Sequence, residues 1–122
     1  MSKIDFKAIL GSEIDPNGKQ ANEPGAKLDA GKNRLGLVLG GFAVALEQVG
    51  EVGTFGAAKY TDNGWTTVPN GIERYTDAMY RHMMQEAQGE VVDPQTDLFH
   101  AAHVAWNALA RLDLMVRKMR IS

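Results

Sequence analysis

Three segments with helical periodicity constrain this chain more than any other feature. Apolar residues recur every three to four positions through 38–60, 71–88 and 96–119, which is the spacing of an amphipathic helix. Turn sequences separate the segments, TDNG at 61–64 and Asp-Pro at 93–94. No stretch alternates convincingly between apolar and polar residues. The pattern therefore predicts an all-α fold, a bundle of about three long helices without a sheet.

The first 35 residues differ in character from the rest. Residues 1–35 are rich in Gly, Asn, Asp and Lys and predict an arm or long loop, with one short helical turn near 5–10. A disordered tail is the alternative. The helical domain then spans 36–122. Three helices of about 20 residues are few for one compact core, so we expect a homo-oligomer, a dimer or tetramer. A monomer closed by the arm is the alternative.

Composition excludes several classes of protein. The formal net charge of −2 argues against a broad nucleic-acid-binding surface, which is usually strongly basic. Without cysteine, neither disulfides nor thiolate metal sites can form. The first twenty residues show no signal-peptide pattern. Gly40 and Gly41 interrupt an apolar stretch of about a dozen residues, which is too short to span a membrane. We expect a cytoplasmic protein with no membrane or nucleic-acid partner.

The second helix places two polar residues on its apolar stripe. His82 and Glu86 lie one turn apart on this stripe. A carboxylate on an apolar face costs free energy of folding unless it is paired or binds a metal. A hydrogen-bonded core histidine and a glutamate that reaches solvent at the helix edge are the structural alternatives. The apolar residues of the stripe are Ile72, Tyr75, Met79 and Met83.

The third helix carries a polar face beside its apolar one. His100, His103 and Asn107 lie together on it, and Asp97 precedes His100 by one turn. Thr96 is the predicted N-cap. Two histidines at this spacing beside a carboxylate can share a divalent ion or a phosphate. Solvated surface histidines are the alternative.

On the first helix, Gln48 and Glu51 have apolar neighbours, Val44 and Phe55, on a face that would otherwise be solvated. Glu51 is thus a further candidate, with an ordinary surface glutamate as the alternative. The small residues that follow it, such as Gly53, permit another helix to approach closely.

Six short motifs together resemble a known family. KLDAGKNRLGLV, EVGTFGAAKY, NGW, ERYTDAMYRHMM, GEVVDP and HAAHVAWNALARLDL occur in order over residues 26–114 and resemble the phage dATP/dGTP diphosphohydrolase-like domain family. The resemblance implies an all-α domain that cleaves purine deoxynucleoside triphosphates to monophosphate and pyrophosphate. The family pattern covers Asp29, Lys32, Arg34, Glu51, Lys59, Tyr60, Trp65, Arg81, His82, His100, His103 and Asn107.

The resemblance extends to the MazG-like pyrophosphohydrolases, whose ExxE and ExxD motifs hold Mg²⁺. The counterparts here are Gln48-x-x-Glu51 and His100-x-x-His103, so an amide and two imidazoles stand where carboxylates are expected. Imidazole suits Mn²⁺ better than Mg²⁺. Both Mg²⁺ and Mn²⁺ remain candidate cofactors.

These observations predict a site with three kinds of residue. The metal ligands are Glu51, Glu86, Asp97, His100 and His103, of which Glu86 and Asp97 rest on helix geometry alone. The catalytic residues are Glu51, His82 and His100. The substrate-binding residues are Lys32, Arg34, Lys59, Trp65, Arg81 and Asn107.

Trp65 has two interpretations, stacking on a purine or covering the core below the 61–70 loop. Two other functions also remain open for the whole chain. It could be a non-catalytic phage adaptor that binds a host protein, or a nucleotide sensor with the same pocket and no turnover. If the chain is encoded by a phage, its expected location is the host cytoplasm.

Overall fold

The computed structural model describes residues 13–121, and the chain divides into two compact units, Met1–Val38 and Leu39–Ser122. The helical turn predicted near residues 5–10 lies outside the described residues. Residues 13–35 contain turns and no helix or strand.

A buried carboxylate organises the described part of the N-terminal unit. Asp15 accepts hydrogen bonds from the backbone N–H of Asn17 at 2.7 Å and of Lys27 at 3.0 Å. Lys32 forms an ion pair with Glu13 at 3.2 Å. Because Asp15 joins the backbone at Asn17 to the backbone at Lys27, it holds this loop together without regular secondary structure.

Helices make up most of the second unit, which confirms the predicted all-α fold. A short helix α1 (Gly36–Leu39) lies at the boundary of the two units in the sequence. It precedes α2 (Ala43–Lys59), and a 3₁₀ helix (Gly64–Thr67) follows. The two longest elements after it are α3 (Gly71–Ala87) and α4 (His100–Ile121). Within residues 13–121, no helix has both the length and the apolar content needed to cross a bilayer.

The first predicted helix, 38–60, is in fact two helices. The break falls at Gly40 and Gly41, between α1 and α2. Each glycine in a helix interior costs about 1 kcal/mol relative to alanine, so two in succession favour an interruption.

A two-stranded hairpin corrects the prediction that the chain has no sheet. Strand β1 (Val92–Asp93) pairs antiparallel with β2 (Leu98–Phe99). The backbone N–H of His100 extends this pairing by donating to the carbonyl of Val91 at 2.9 Å. Strands of two residues are too short to show alternation, which explains why the pattern was missed.

The hairpin also moves the start of the last helix. The predicted start at residue 96 is wrong, because α4 begins at His100. The backbone N–H of Asp97 donates to the carbonyl of Asp93 at 2.8 Å, and Asp97 itself has a φ of 60°. Thr96 and Asp97 therefore belong to a tight turn, so Thr96 does not cap α4.

The helices approach closely where glycine permits it. The most extensive helix–helix contact joins α3 to α4, and α2 also packs on α4. A Cβ atom on Gly71 would come within 2.8 Å of Leu114 Cδ1. A Cβ atom on Gly53 would come within 3.3 Å of Trp106 Nε1. Gly53 therefore lets Trp106 of α4 approach the backbone of α2.

The hydrophobic core of the described residues is small. Its buried apolar members are Val52, Ala102 and Ala110. Large apolar side chains stay exposed on α2 and α4, among them Val44 at 84% and Leu112 at 55%. The chain therefore leaves much of its apolar surface uncovered.

Candidate functional site

An open cleft of about 790 Å³ lies within the helical unit. Its walls come from α2, the loop and 3₁₀ helix that follow, α3, the hairpin turn and α4. The chemically distinctive lining residues are Lys59, Tyr60, Trp65, Tyr75, Arg81, His82, Asp93, Gln95, Thr96, His103, Trp106 and Asn107.

A chain of hydrogen bonds runs from Glu90 through two histidines. Glu90 Oε1 lies 2.8 Å from His100 Nε2, and His100 Nδ1 lies 2.8 Å from His82 Nδ1. An ionised carboxylate only accepts, so His100 Nε2 carries the proton. In neutral His100 the lone pair is then on Nδ1, and His82 Nδ1 donates to it.

His103 is held against this pair from the other side. Its Nε2 lies 2.8 Å from Thr96 Oγ1 and 3.4 Å from Asp93 Oδ2. Its ring stacks on that of His82, with the centroids 4.4 Å apart and the planes 5° from parallel. The hairpin thus contributes Asp93 and Thr96 to one polar cluster, and α4 contributes His100 and His103.

Burial changes the protonation of the two cleft histidines. Burial lowers the pKa of His82, and the neighbouring His103 and His100 lower it further. Burial also lowers the pKa of His103, although the Asp93 carboxylate opposes that shift. At neutral pH both imidazoles are therefore neutral, and each keeps a lone pair able to take up a proton or a metal ion.

Within residues 13–121, one group of three metal-ligating side chains lies close together. It contains His82, Asp93 and His100, and one potential ligand atom from each lies within 4.8 Å of the others. Asp93 and His100 have side chains 13% and 3% exposed.

Aromatic rings form another part of the cleft lining. Trp65 and Trp106 meet edge to face at 6.1 Å, and Tyr75 meets Trp106 in the same way at 5.6 Å. The Arg117 guanidinium lies 5.4 Å from the Trp65 ring centre. The cleft thus combines flat aromatic surface with polar groups, and Lys59 and Arg81 add positive charge.

The structure brings together some of the residues predicted from sequence. His82, His100 and His103 form one cluster. The predicted substrate-binding residues that line the cleft are Lys59, Trp65, Arg81 and Asn107. Lys32 and Arg34 are exposed residues of the N-terminal unit, where Lys32 pairs with Glu13.

The predicted carboxylate ligands lie elsewhere. Glu51, Glu86 and Asp97 are exposed, do not line the cleft and do not belong to the three-residue ligand group. Their exposure has local causes. Glu51 is one residue before buried Val52 and is rotated about 100° from it. Glu86 is in the last turn of α3, and Asp97 is in the hairpin turn.

Sequence reasoning missed three polar residues of the cluster. Asp93 was interpreted as a turn signal, Thr96 as a helix cap, and Glu90 was given no role. All three fall between the two long helices, where the periodicity of the sequence carries no information. The motif GEVVDP contains Glu90 and Asp93, so their place in the resemblance was the available signal.

Comparison with known proteins identifies the class of this domain. Residues 22–122 match the family described as dATP/dGTP diphosphohydrolase, N-terminal. The chain therefore belongs to the dATP/dGTP diphosphohydrolase N-terminal family.

A relative makes the relationship more specific. The chain is 37% identical over 81 residues to a dATP/dGTP diphosphohydrolase of Salmonella phage PMBT28. That match covers 66% of this chain and 26% of the phage protein, so the chain spans about a quarter of its relative's length. No solved structure matches the chain.

Proposed function

We propose that this domain hydrolyses purine deoxynucleoside triphosphates, dGTP and dATP, to the monophosphate and pyrophosphate. The observation that supports it most directly is the cleft, which combines aromatic rings, two cations and the neutral imidazoles of His82 and His103 in a domain of this family. We further place the reaction in phage nucleotide-pool metabolism, in the host cytoplasm.

Each part of the cleft has a role in this proposal. The purine stacks on the aromatic wall at Trp65, where aromatic contacts add about 0.5–1.5 kcal/mol beyond burial. Lys59 and Arg81 bind phosphate oxygens, since charge-assisted hydrogen bonds are the stronger ones. Asn107, buried beside His103, lines the floor of the cleft.

Hydrolysis requires a water to lose a proton as it attacks phosphorus. The water oxygen forms a bond to the α-phosphorus, the α–β anhydride bond breaks, and its electron pair leaves with pyrophosphate. His103 accepts the proton of the water in this proposal, because its neutral ring lines the cleft and Asp93 stabilises the charged form that results. A bound divalent ion, Mg²⁺ or Mn²⁺, would supply charge neutralisation at the phosphate oxygens.

A panel of the four deoxynucleoside triphosphates with Mg²⁺ or Mn²⁺, resolved by chromatography, tests the reaction. We expect monophosphate and pyrophosphate in equal amounts from dGTP and dATP. His103→Asn should lower kcat by about 10²- to 10⁴-fold, as for loss of a proton-transfer group. Asp77→Asn, at an exposed residue of α3 outside the cleft, is the control. The prediction that Glu51 is catalytic is tested in the same assay with Glu51→Gln.

A second function has one specific observation in its favour. The chain corresponds to about a quarter of the phage diphosphohydrolase, so the remaining three quarters of that protein offer room for the chemistry. In this alternative the cleft binds the nucleotide without turnover. If calorimetry shows binding of dGTP and no pyrophosphate is released, binding without turnover is favoured over hydrolysis. If neither dGTP nor dATP binds, only the adaptor function remains.

We also propose that the domain forms a homo-oligomer, a dimer or tetramer. Exposed apolar side chains include Phe42 just before α2, Val44 on α2, and Leu109 and Leu112 on α4. Association of copies through these faces would bury them.

A further inference from the structure

We propose that His82, Asp93 and His100 form a binding site for a divalent transition-metal ion, with Glu90 holding His100 in the ligating form. The inference deepens the proposed function. The role of the ion in hydrolysis rests on that function. Ion binding itself stands on the geometry alone.

The first argument is convergence from three separate elements. His82 comes from α3, Asp93 from β1 and His100 from the first turn of α4. Their potential ligand atoms lie within 4.8 Å of one another. Three donors at this spacing can surround one ion with bond lengths near 2.0–2.2 Å.

The second argument is the state of His100. Its Nε2–H donates to Glu90 Oε1 at 2.8 Å, which leaves the Nδ1 lone pair facing His82. A histidine whose second nitrogen donates to a carboxylate is the usual arrangement of a metal ligand, because that bond fixes the tautomer and raises the basicity of the ligating nitrogen.

The third argument is the room for the ion and for its remaining ligands. The two Nδ1 atoms are 2.8 Å apart, whereas two imidazole ligands of a tetrahedral ion are separated by about 3.3 Å. Once the proton on His82 Nδ1 has moved to its Nε2 or to solvent, a side-chain movement of about half an ångström exchanges the hydrogen bond for the ion. His82 and Asp93 line the cleft, so coordination positions not filled by protein face the space proposed for the triphosphate.

The donor set selects the class of ion. Two imidazoles and one carboxylate suit Zn²⁺, Co²⁺, Fe²⁺ and Mn²⁺, whereas Mg²⁺ prefers oxygen ligands and retains its waters. We therefore expect Zn²⁺ to bind more tightly than Mn²⁺, and both more tightly than Mg²⁺.

The rival explanation is a purely structural polar cluster. Among the described residues, every buried side-chain nitrogen and oxygen already has a hydrogen-bond partner, so the cluster is satisfied without an ion. A structural cluster would gain nothing from a metal, and this difference can be measured.

The test is titration of the chelator-treated chain with Zn²⁺, Mn²⁺ and Mg²⁺ by calorimetry, and with Co²⁺ by visible absorption, without nucleotide. We expect one ion per chain and a Co²⁺ spectrum typical of nitrogen and oxygen ligands. A change outside the ligand set is expected to weaken Zn²⁺ binding by about 10- to 100-fold. His82→Asn and Asp93→Asn each remove a ligand, so each should weaken Zn²⁺ binding by more than that. Circular dichroism checks that each variant is folded.

Glu90 has its own pair of variants. Glu90→Ala should weaken binding by about 10- to 100-fold, and Glu90→Gln by less, because the amide oxygen can still accept from His100. Asp77→Asn on the exposed side of α3 should leave affinity unchanged.

Two results would overturn the site. They are absence of Zn²⁺ and Co²⁺ binding, and unchanged binding in both His82→Asn and Asp93→Asn. In the second case, loss of binding on Glu86→Gln or Asp97→Asn would place the ion at those carboxylates instead. Failure of hydrolysis with intact Zn²⁺ binding would overturn the proposed function and leave the metal site. Hydrolysis that survives both His82→Asn and Asp93→Asn would leave the proposed function and overturn the role of this ion in it.

Discussion

The α3–hairpin–α4 region and the α2 region solve the problem of burial differently. Between α3 and α4, Arg111 Nε donates to Thr76 Oγ1 at 2.7 Å, and the polar groups at the hairpin are paired with one another. On α2, Val52 is buried while Val44 is 84% exposed. The polar groups of the first region are therefore paired within one chain, whereas α2 presents an apolar surface suited to a further partner.

Association is the largest expected effect that follows from this contrast. We expect light scattering to give at least twice the mass of the 13.3 kDa chain, because a second copy would cover the exposed apolar side chains. Val44→Asp should shift the distribution towards the monomer by placing a charge in that surface. A particle of monomer mass at high micromolar concentration would show that α2 is an ordinary exposed face.

Two valines on the same helix sharpen the comparison. Val52→Ala should lower the free energy of unfolding by about 2 kcal/mol, through lost burial and a residual cavity. Val44→Ala should change it by less than about 0.5 kcal/mol in the monomer. Urea unfolding at several protein concentrations measures both. The Val52 effect should not depend on concentration, whereas a Val44 effect that grows with concentration would locate Val44 in an interface.

Two threonines give a smaller effect of the same kind. Thr76 Oγ1 donates to the carbonyl of Ile72 and accepts from Arg111 of α4, while Thr54 Oγ1 only donates to the carbonyl of Gly50 within α2. Thr76→Val should cost about 1 kcal/mol, because it removes a hydrogen bond between helices. Thr54→Val should stay within about 0.5 kcal/mol. Equal losses in thermal unfolding would mean that the Arg111 bond contributes nothing to stability.

Local sequence signals were sufficient for much of the fold. The predicted 71–88 helix closely matches α3 (Gly71–Ala87), because Pro-Asn-Gly before it and Gly89 after it are signals that act within a few residues. The same helical arithmetic places His82 on the apolar stripe of its helix and His100 and His103 on the face beside the apolar one, and the structure brings the three together.

Contacts distant in sequence decided the rest. Asp93 reaches the histidines because a hairpin of two-residue strands folds the chain back between α3 and α4, and so short an element has no detectable period. Glu51 has apolar neighbours in sequence but is exposed, because the packing of α4 buries Val52 instead. The sequence by itself determined the helices and the type of chemistry they carry. Only the tertiary structure decided which carboxylates join the imidazoles, because helical periodicity defines the faces of a helix but not the face that its neighbour covers.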